Sequence, residues 1–134
     1  MKHLTKTEKE TYELGKKLSK SLRGGEVIGL IGDLGTGKTA FSKGIAAGLG
    51  VKNTVTSPTF VIMKIYEGKK KLVHIDAYRL TSYEDLRAIG IEDYLNRKDT
   101  VIVIEWADRL KGELPFAMQN IVFTITDDSR EISF

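Results

Sequence analysis

Gly32-Asp33-Leu34-Gly35-Thr36-Gly37-Lys38-Thr39 matches G-x-x-x-x-G-K-[ST] at every fixed position. Glycines at 32, 35 and 37 let successive backbone N–H groups turn toward one anion with no Cβ in the way. Lys38 is placed to reach β- and γ-phosphate oxygens, and the Thr39 hydroxyl is placed to ligate Mg²⁺. A helix starting at this point adds its partly positive N-terminus to the same anion. The context agrees. Val27-Ile28-Gly29-Leu30-Ile31 is a short apolar run before the loop, and Phe41, Ile45 and Leu49 follow at helical spacing. Strand, glycine loop and helix come in the order that a nucleotide-phosphate site requires.

Working outward, Tyr12, Leu14, Leu18 and Leu22 share a face across about residues 5–22, and Thr7 and Glu10 have capping-box spacing. An amphipathic helix is expected there, stopped by Gly24-Gly25. Beyond the loop helix, Ser57-Pro58-Thr59-Phe60 is a connection with exposed hydroxyls within reach of a nucleotide. Residues 60–66 and 72–76 flank a polar turn and predict a β-hairpin, its three lysines at 69–71 reading as a solvated turn and edge protection. Ser82 is the expected N-cap of a short helix ended by Gly90, with a further helical turn over residues 91–95. Val101-Ile102-Val103-Ile104 lacks polar alternation, as a central strand covered on both faces does. Residues 121–126 and 131–134 predict a closing antiparallel hairpin. The sum is one α/β domain over residues 1–134, a P-loop NTPase fold whose central mixed sheet carries flanking helices and antiparallel hairpins.

Phosphoryl transfer asks for an acid at a strand end near the metal. Glu105 follows the apolar strand, and Asp76 follows Leu72-Val73-His74-Ile75. Lys38, Asp76 and Glu105 are therefore the candidate catalytic residues, with the division of roles between the two acids open. Alternation puts His74, Asp76 and Tyr78 on one strand face. Arg79 suits either an internal arginine finger or an ion pair with Glu84 or Asp85. Trp106, next to Glu105, suits a place beside the nucleotide or in the core.

The chain has 134 residues, enough for a single core. It has no cysteine, which excludes disulfides, thiolate zinc sites and thiol catalysis. Its 21 basic and 18 acidic residues give a net charge of +3, too small to mark a nucleic-acid binder. No apolar run approaches the ~20 residues of a membrane span, and residues 1–10 lack a leader's apolar stretch, so a cytoplasmic protein without membrane contact is expected.

GDLGTGKT, SPTF at 57–60, HIDAYRL at 74–80, GIEDYL at 90–95 and IEW at 104–106 together make a pattern that resembles the TsaE (formerly YjeE) family over nearly the whole chain. The resemblance implies a P-loop ATPase, weak alone, needed for N6-threonylcarbamoyladenosine in tRNAs. It implies ATP and Mg²⁺ as ligands and TsaD and TsaB as partners, with tRNA met indirectly through that complex. Carried onto matching positions, Gly35, Thr36, Gly37, Lys38, Thr39 and Ala40 would bind the phosphates, and Thr39 and Glu105 would hold Mg²⁺. Asp76 would assist near the γ-phosphate, and Arg130 would contact the nucleotide. Thr59, His74, Tyr78, Arg79 and Trp106 are the candidates for switching or partner coupling, with 82–95 and the SPTF loop as the candidate partner face.

Three other readings use the same loop. A GTPase normally carries N-K-x-D, and Asn96-Arg97-Lys98-Asp99 misplaces the lysine and precedes the central strand. A small-molecule kinase would need a lid and an acceptor site, for which residues 79–99 are short. A nucleotide-sensing interaction module would bind without appreciable hydrolysis.

Overall fold

The structure is a computed structural model that describes residues 1–56 and 62–134. Thr59 and the rest of the SPTF loop lie outside the described residues, as do positions 60 and 61 of the first expected hairpin strand.

A seven-stranded sheet runs β1 (Lys2–Thr5), β7 (Arg130–Ser133), β6 (Gln119–Ile125), β2 (Val27–Ile31), β5 (Thr100–Glu105), β4 (Lys71–Asp76), β3 (Met63–Tyr66). The helices are α1 (Glu8–Ser19), α2 (Lys38–Gly48) and α3 (Tyr83–Ala88). β6, β2, β5 and β4 are mutually parallel, while β3 and β7 pair antiparallel to their neighbours. This is the expected mixed α/β sheet with antiparallel hairpins at both ends.

β5 is buried along its whole length because it lies between β2 and β4 with a core on each face. Val101 and Val103 join Ile28, Leu30, Phe41 and Ile45 on one side. Ile102 and Ile104 join Val73, Ile75, Leu86 and Ile91 on the other. A two-sided core removes the need for polar alternation, which is why the strand reads as a continuous apolar run.

Four expectations need correction. The first helix starts at Glu8 rather than near Thr5, because residues 2–5 form an edge strand against β7. Thr7 does cap it, its Oγ1 accepting from the Glu10 N–H at 3.1 Å, while Glu10 reaches back to the Lys6 N–H at 2.7 Å. Its most buried positions are also not the large ones. Leu14 and Leu18 are only partly buried, and the stripe facing α2 is Thr11, Gly15 and Ser19. At the third helix Ser82 holds the N-cap position as expected but makes no side-chain cap bond; the Thr81 N–H and hydroxyl instead donate to Asp85 at 2.8 and 2.9 Å and hold that carboxyl below its usual range. The lysine run also differs from a free tip. Lys69 and Lys70 lie against Leu49 and Gly50 at the end of α2, and Lys71 pairs with Glu67 at 3.7 Å.

The small stripe exists because α1 and α2 nearly touch backbone to backbone. A Cβ at Gly15 would stand 2.3 Å from the Phe41 carbonyl oxygen, and one at Gly44 would stand 2.0 Å from that of Tyr12. Gly44→Ala would add ~1 kcal/mol of helix propensity in an open helix. Here it should instead lower unfolding free energy by about 1–3 kcal/mol, because the added carbon forces the helices apart. Urea denaturation measures this, and a stabilised variant would contradict the close contact.

Candidate nucleotide-phosphate site

Parallel pairing aligns three strand ends at one edge of the sheet. Leu30 of β2 is the register partner of Glu105, and Glu105 is the register partner of Asp76. Residues 32–37 leave β2 at this edge and enter α2, with Gly37 as N-cap at φ +104°, a left-handed backbone that needs glycine. The Thr36 hydroxyl donates to the Asp33 carbonyl at 2.7 Å, so its buried side chain braces the loop from inside. Arg130 braces it from outside, its Nε and Nη2 donating to the Gly35 carbonyl at 3.3 and 3.1 Å.

A cavity of about 650 Å³ opens here. Its walls include Gly35, Gly37, Lys38, Thr39 and Ala40 of the loop and helix, together with Asp76, Tyr78, Arg79, Glu105, Trp106 and Arg130. The fold therefore gathers the candidate residues from four distant parts of the chain around one space. His74 is different. It is wholly buried and absent from the walls, with its Nε2 2.5 Å from Glu105 Oε2, so it has no exposed surface for a partner. Arg79 lines the cavity and forms neither expected ion pair: Glu84 pairs with Arg87 at 3.3 Å, and Asp85 is taken by Thr81.

The Lys38 ammonium is turned inward. It donates to the Gly32 carbonyl and sits 3.3 Å from the Trp106 ring centroid, a cation–π contact. Burial lowers its pKa from the usual lysine value, opposed by the negative charges of Glu105, Asp108, Asp33 and Asp76. Trp106 holds this place through a left-handed backbone at φ +58°, which swings the chain off β5 immediately after Glu105. Its ring meets Tyr78 edge-on at 5.1 Å, and the Arg109 guanidinium stacks 4.2 Å over Tyr78. Asp76 is oriented by the Tyr78 N–H, which donates to its Oδ1 at 2.9 Å.

The donor set suits a hard cation that keeps water and phosphate ligands. Among the described residues no group of three or more His, Cys, Asp or Glu is arranged around a metal, so the protein alone does not form a cage. One hydroxyl and two carboxylates beside an anion cradle fit Mg²⁺, which is held by few protein oxygens.

The family model for threonylcarbamoyl adenosine biosynthesis protein TsaE matches residues 5–132. The chain belongs to the TsaE family. The tRNA threonylcarbamoyladenosine biosynthesis protein TsaE of Treponema pallidum is 37% identical over 134 residues, covering 99% of this chain and 98% of that protein. Its counterpart in Bacillus subtilis is 38% identical, covering 100% of this chain and 84% of that protein. The crystal structure of Bacillus subtilis YdiB superposes with a TM-score of 0.81 at 36% identity, covering 98% of this chain and 82% of that one.

Four wall residues of this TsaE-family chain, Glu8, Thr11, Leu34 and Ile62, are not among the site candidates read from its sequence. Glu8 was expected inside a helix and actually opens α1 at the cavity, and Leu34 was an unassigned position of the loop. Arg109 was missed as well, and its one signal is the i, i+3 spacing from Trp106. Trp106 is the sole tryptophan, so the Lys38 contact has a direct optical readout. Lys38→Met should change the intrinsic emission of the ligand-free protein, because the cation leaves the indole face. Superimposable spectra at equal concentration would contradict the contact.

Proposed function

We propose that this chain binds ATP with Mg²⁺ and hydrolyses it as a component of tRNA threonylcarbamoyladenosine biosynthesis, acting with TsaD and TsaB. The observation that carries the reading is the convergence of the glycine loop, Lys38, Asp76 and Glu105 on one cavity at the carboxyl edge of β2, β4 and β5. Backbone N–H groups from Gly35 to Ala40 would cradle the phosphates, with the N-terminus of α2 behind them. Lys38 would exchange the Gly32 carbonyl and the Trp106 ring for phosphate oxygens. Thr39 and Glu105 would hold the metal, which when bound neutralises charge on the transferring phosphoryl group. Asp76, fixed by the Tyr78 N–H, would orient the attacking water, and Arg79 would add positive charge at the mouth.

In hydrolysis the water oxygen bonds the γ-phosphorus as its bond to the β,γ-bridging oxygen breaks, giving ADP and phosphate. The small-molecule kinase reading is disfavoured by residues 83–93, whose Leu86 and Ile91 are buried in the core rather than raised as a lid over the cavity. No helix among the described residues is long and apolar enough to cross a membrane. Tyr78 and Arg79, exposed at the mouth, suit coupling of nucleotide state to a partner.

Steady-state ATP hydrolysis tests the proposal, measured with Mg²⁺ alone and with TsaD and TsaB added. The expected result is slow turnover alone, strong stimulation by the partners, and a loss of roughly 100-fold or more in Lys38→Ala. Absence of both stimulation and partner binding would overturn the functional assignment.

A further inference from the structure

His74 is the polar exception in a buried stretch of β4, flanked by Leu72, Val73 and Ile75. An apolar side chain would suit that position, since burying a polar group without a full set of hydrogen bonds is destabilising. Its imidazole makes one bond among the described residues, from Nε2 to Glu105 Oε2 at 2.5 Å. The other ring nitrogen, Nδ1, is buried with no partner among the described residues. Folding alone leaves this histidine unexplained, and its single bond goes to the acid nearest the proposed metal.

We infer that His74 is a positioning residue for Glu105, its Nε2–H anchoring one carboxylate oxygen so that the other, Oε1, is presented to the cavity. A carboxylate oxygen accepts hydrogen bonds, so the donor in this pair is Nε2–H, while Nδ1 has no partner among the described residues. The two side chains are 0% and 5% exposed, which shields the bond from competing water. Glu105 Oε1 accepts no hydrogen bond from a described residue, whereas the Glu105 side chain does line the cavity. His74 touches no ligand itself. It acts through Glu105, as outer partners of metal-ligating carboxylates do.

The inference rests on Glu105 serving hydrolysis as proposed above. Glutamine carries an amide nitrogen the same number of bonds from its Cβ as Nε2, while methionine fills similar volume without a donor. With TsaD and TsaB present, His74→Met should lower kcat about 10- to 100-fold. KM for ATP and calorimetric affinity for ADP should stay unchanged, and His74→Gln should recover most of the rate. A folded His74→Met variant with wild-type kcat would overturn the inference, as would a His74→Gln variant equally impaired. Nitrogen-15 NMR of the wild-type imidazole decides independently of any variant's folding: the Nε2–H tautomer with a solvent-protected proton is expected, and the Nδ1–H tautomer overturns it. A wild-type chain that hydrolyses no ATP with its partners would refute the proposed function instead, and the tautomer would still judge the pairing.

Discussion

The parallel pairing of β2, β5 and β4 in one register is the constraint on which the rest depends. It sets Leu30, Glu105 and Asp76 side by side and delivers the glycine loop to the same edge. Side chains alternate with a period of two, so a one-residue slip would turn both acids to the opposite sheet face and bring apolar neighbours into the cavity. Two cores resist that slip. Val101 and Val103 are committed to the α1–α2 side, and Ile102 and Ile104 to the other. Hydrophobic register thereby fixes the separation of the two acids.

Around that edge, charge is held in a closed arrangement. The buried Lys38 ammonium lies among the fields of four acids and against the Trp106 ring, while Arg130 is spent on the Gly35 carbonyl. On the proposed function, an incoming polyphosphate would compete for the lysine with a neutral carbonyl and an aromatic face, both weaker partners for a cation than a phosphate oxygen. The α1–α2 contact supports the arrangement from behind, since Glu8 and Thr11 of α1 reach the cavity wall only because the two helices pack so closely.

Much of this was legible in the sequence because local chemistry and tertiary need coincide. The glycine loop, the apolar β5 run ending in Glu105 and the hairpin ending in Asp76 each carry their own signal, and the sheet only brings them together. The less legible parts depend on distant contacts. β1 is four residues long, and its partner β7 lies at the other end of the chain. The Thr11, Gly15 and Ser19 stripe carries little hydrophobicity, so periodicity pointed to the leucines beside it. Strand alternation put His74 on the functional face with Asp76, but its bond to Glu105 required the β4–β5 register. The stacking of Arg109 over Tyr78 likewise depends on the left-handed turn at Trp106, which an aromatic residue gives no reason to expect.

On this reading the cavity at the carboxyl edge of the sheet is the seat of phosphate and metal. A crystal structure of the chain with Mg²⁺ and a non-hydrolysable ATP analogue tests it most directly. The triphosphate is expected against the backbone of Gly35 to Ala40, with Lys38 Nζ moved from the Gly32 carbonyl and Trp106 ring onto phosphate oxygens. The metal should lie beside Thr39 and Glu105. An analogue bound elsewhere, or bound here with Lys38 still on Gly32 and Trp106, would contradict it.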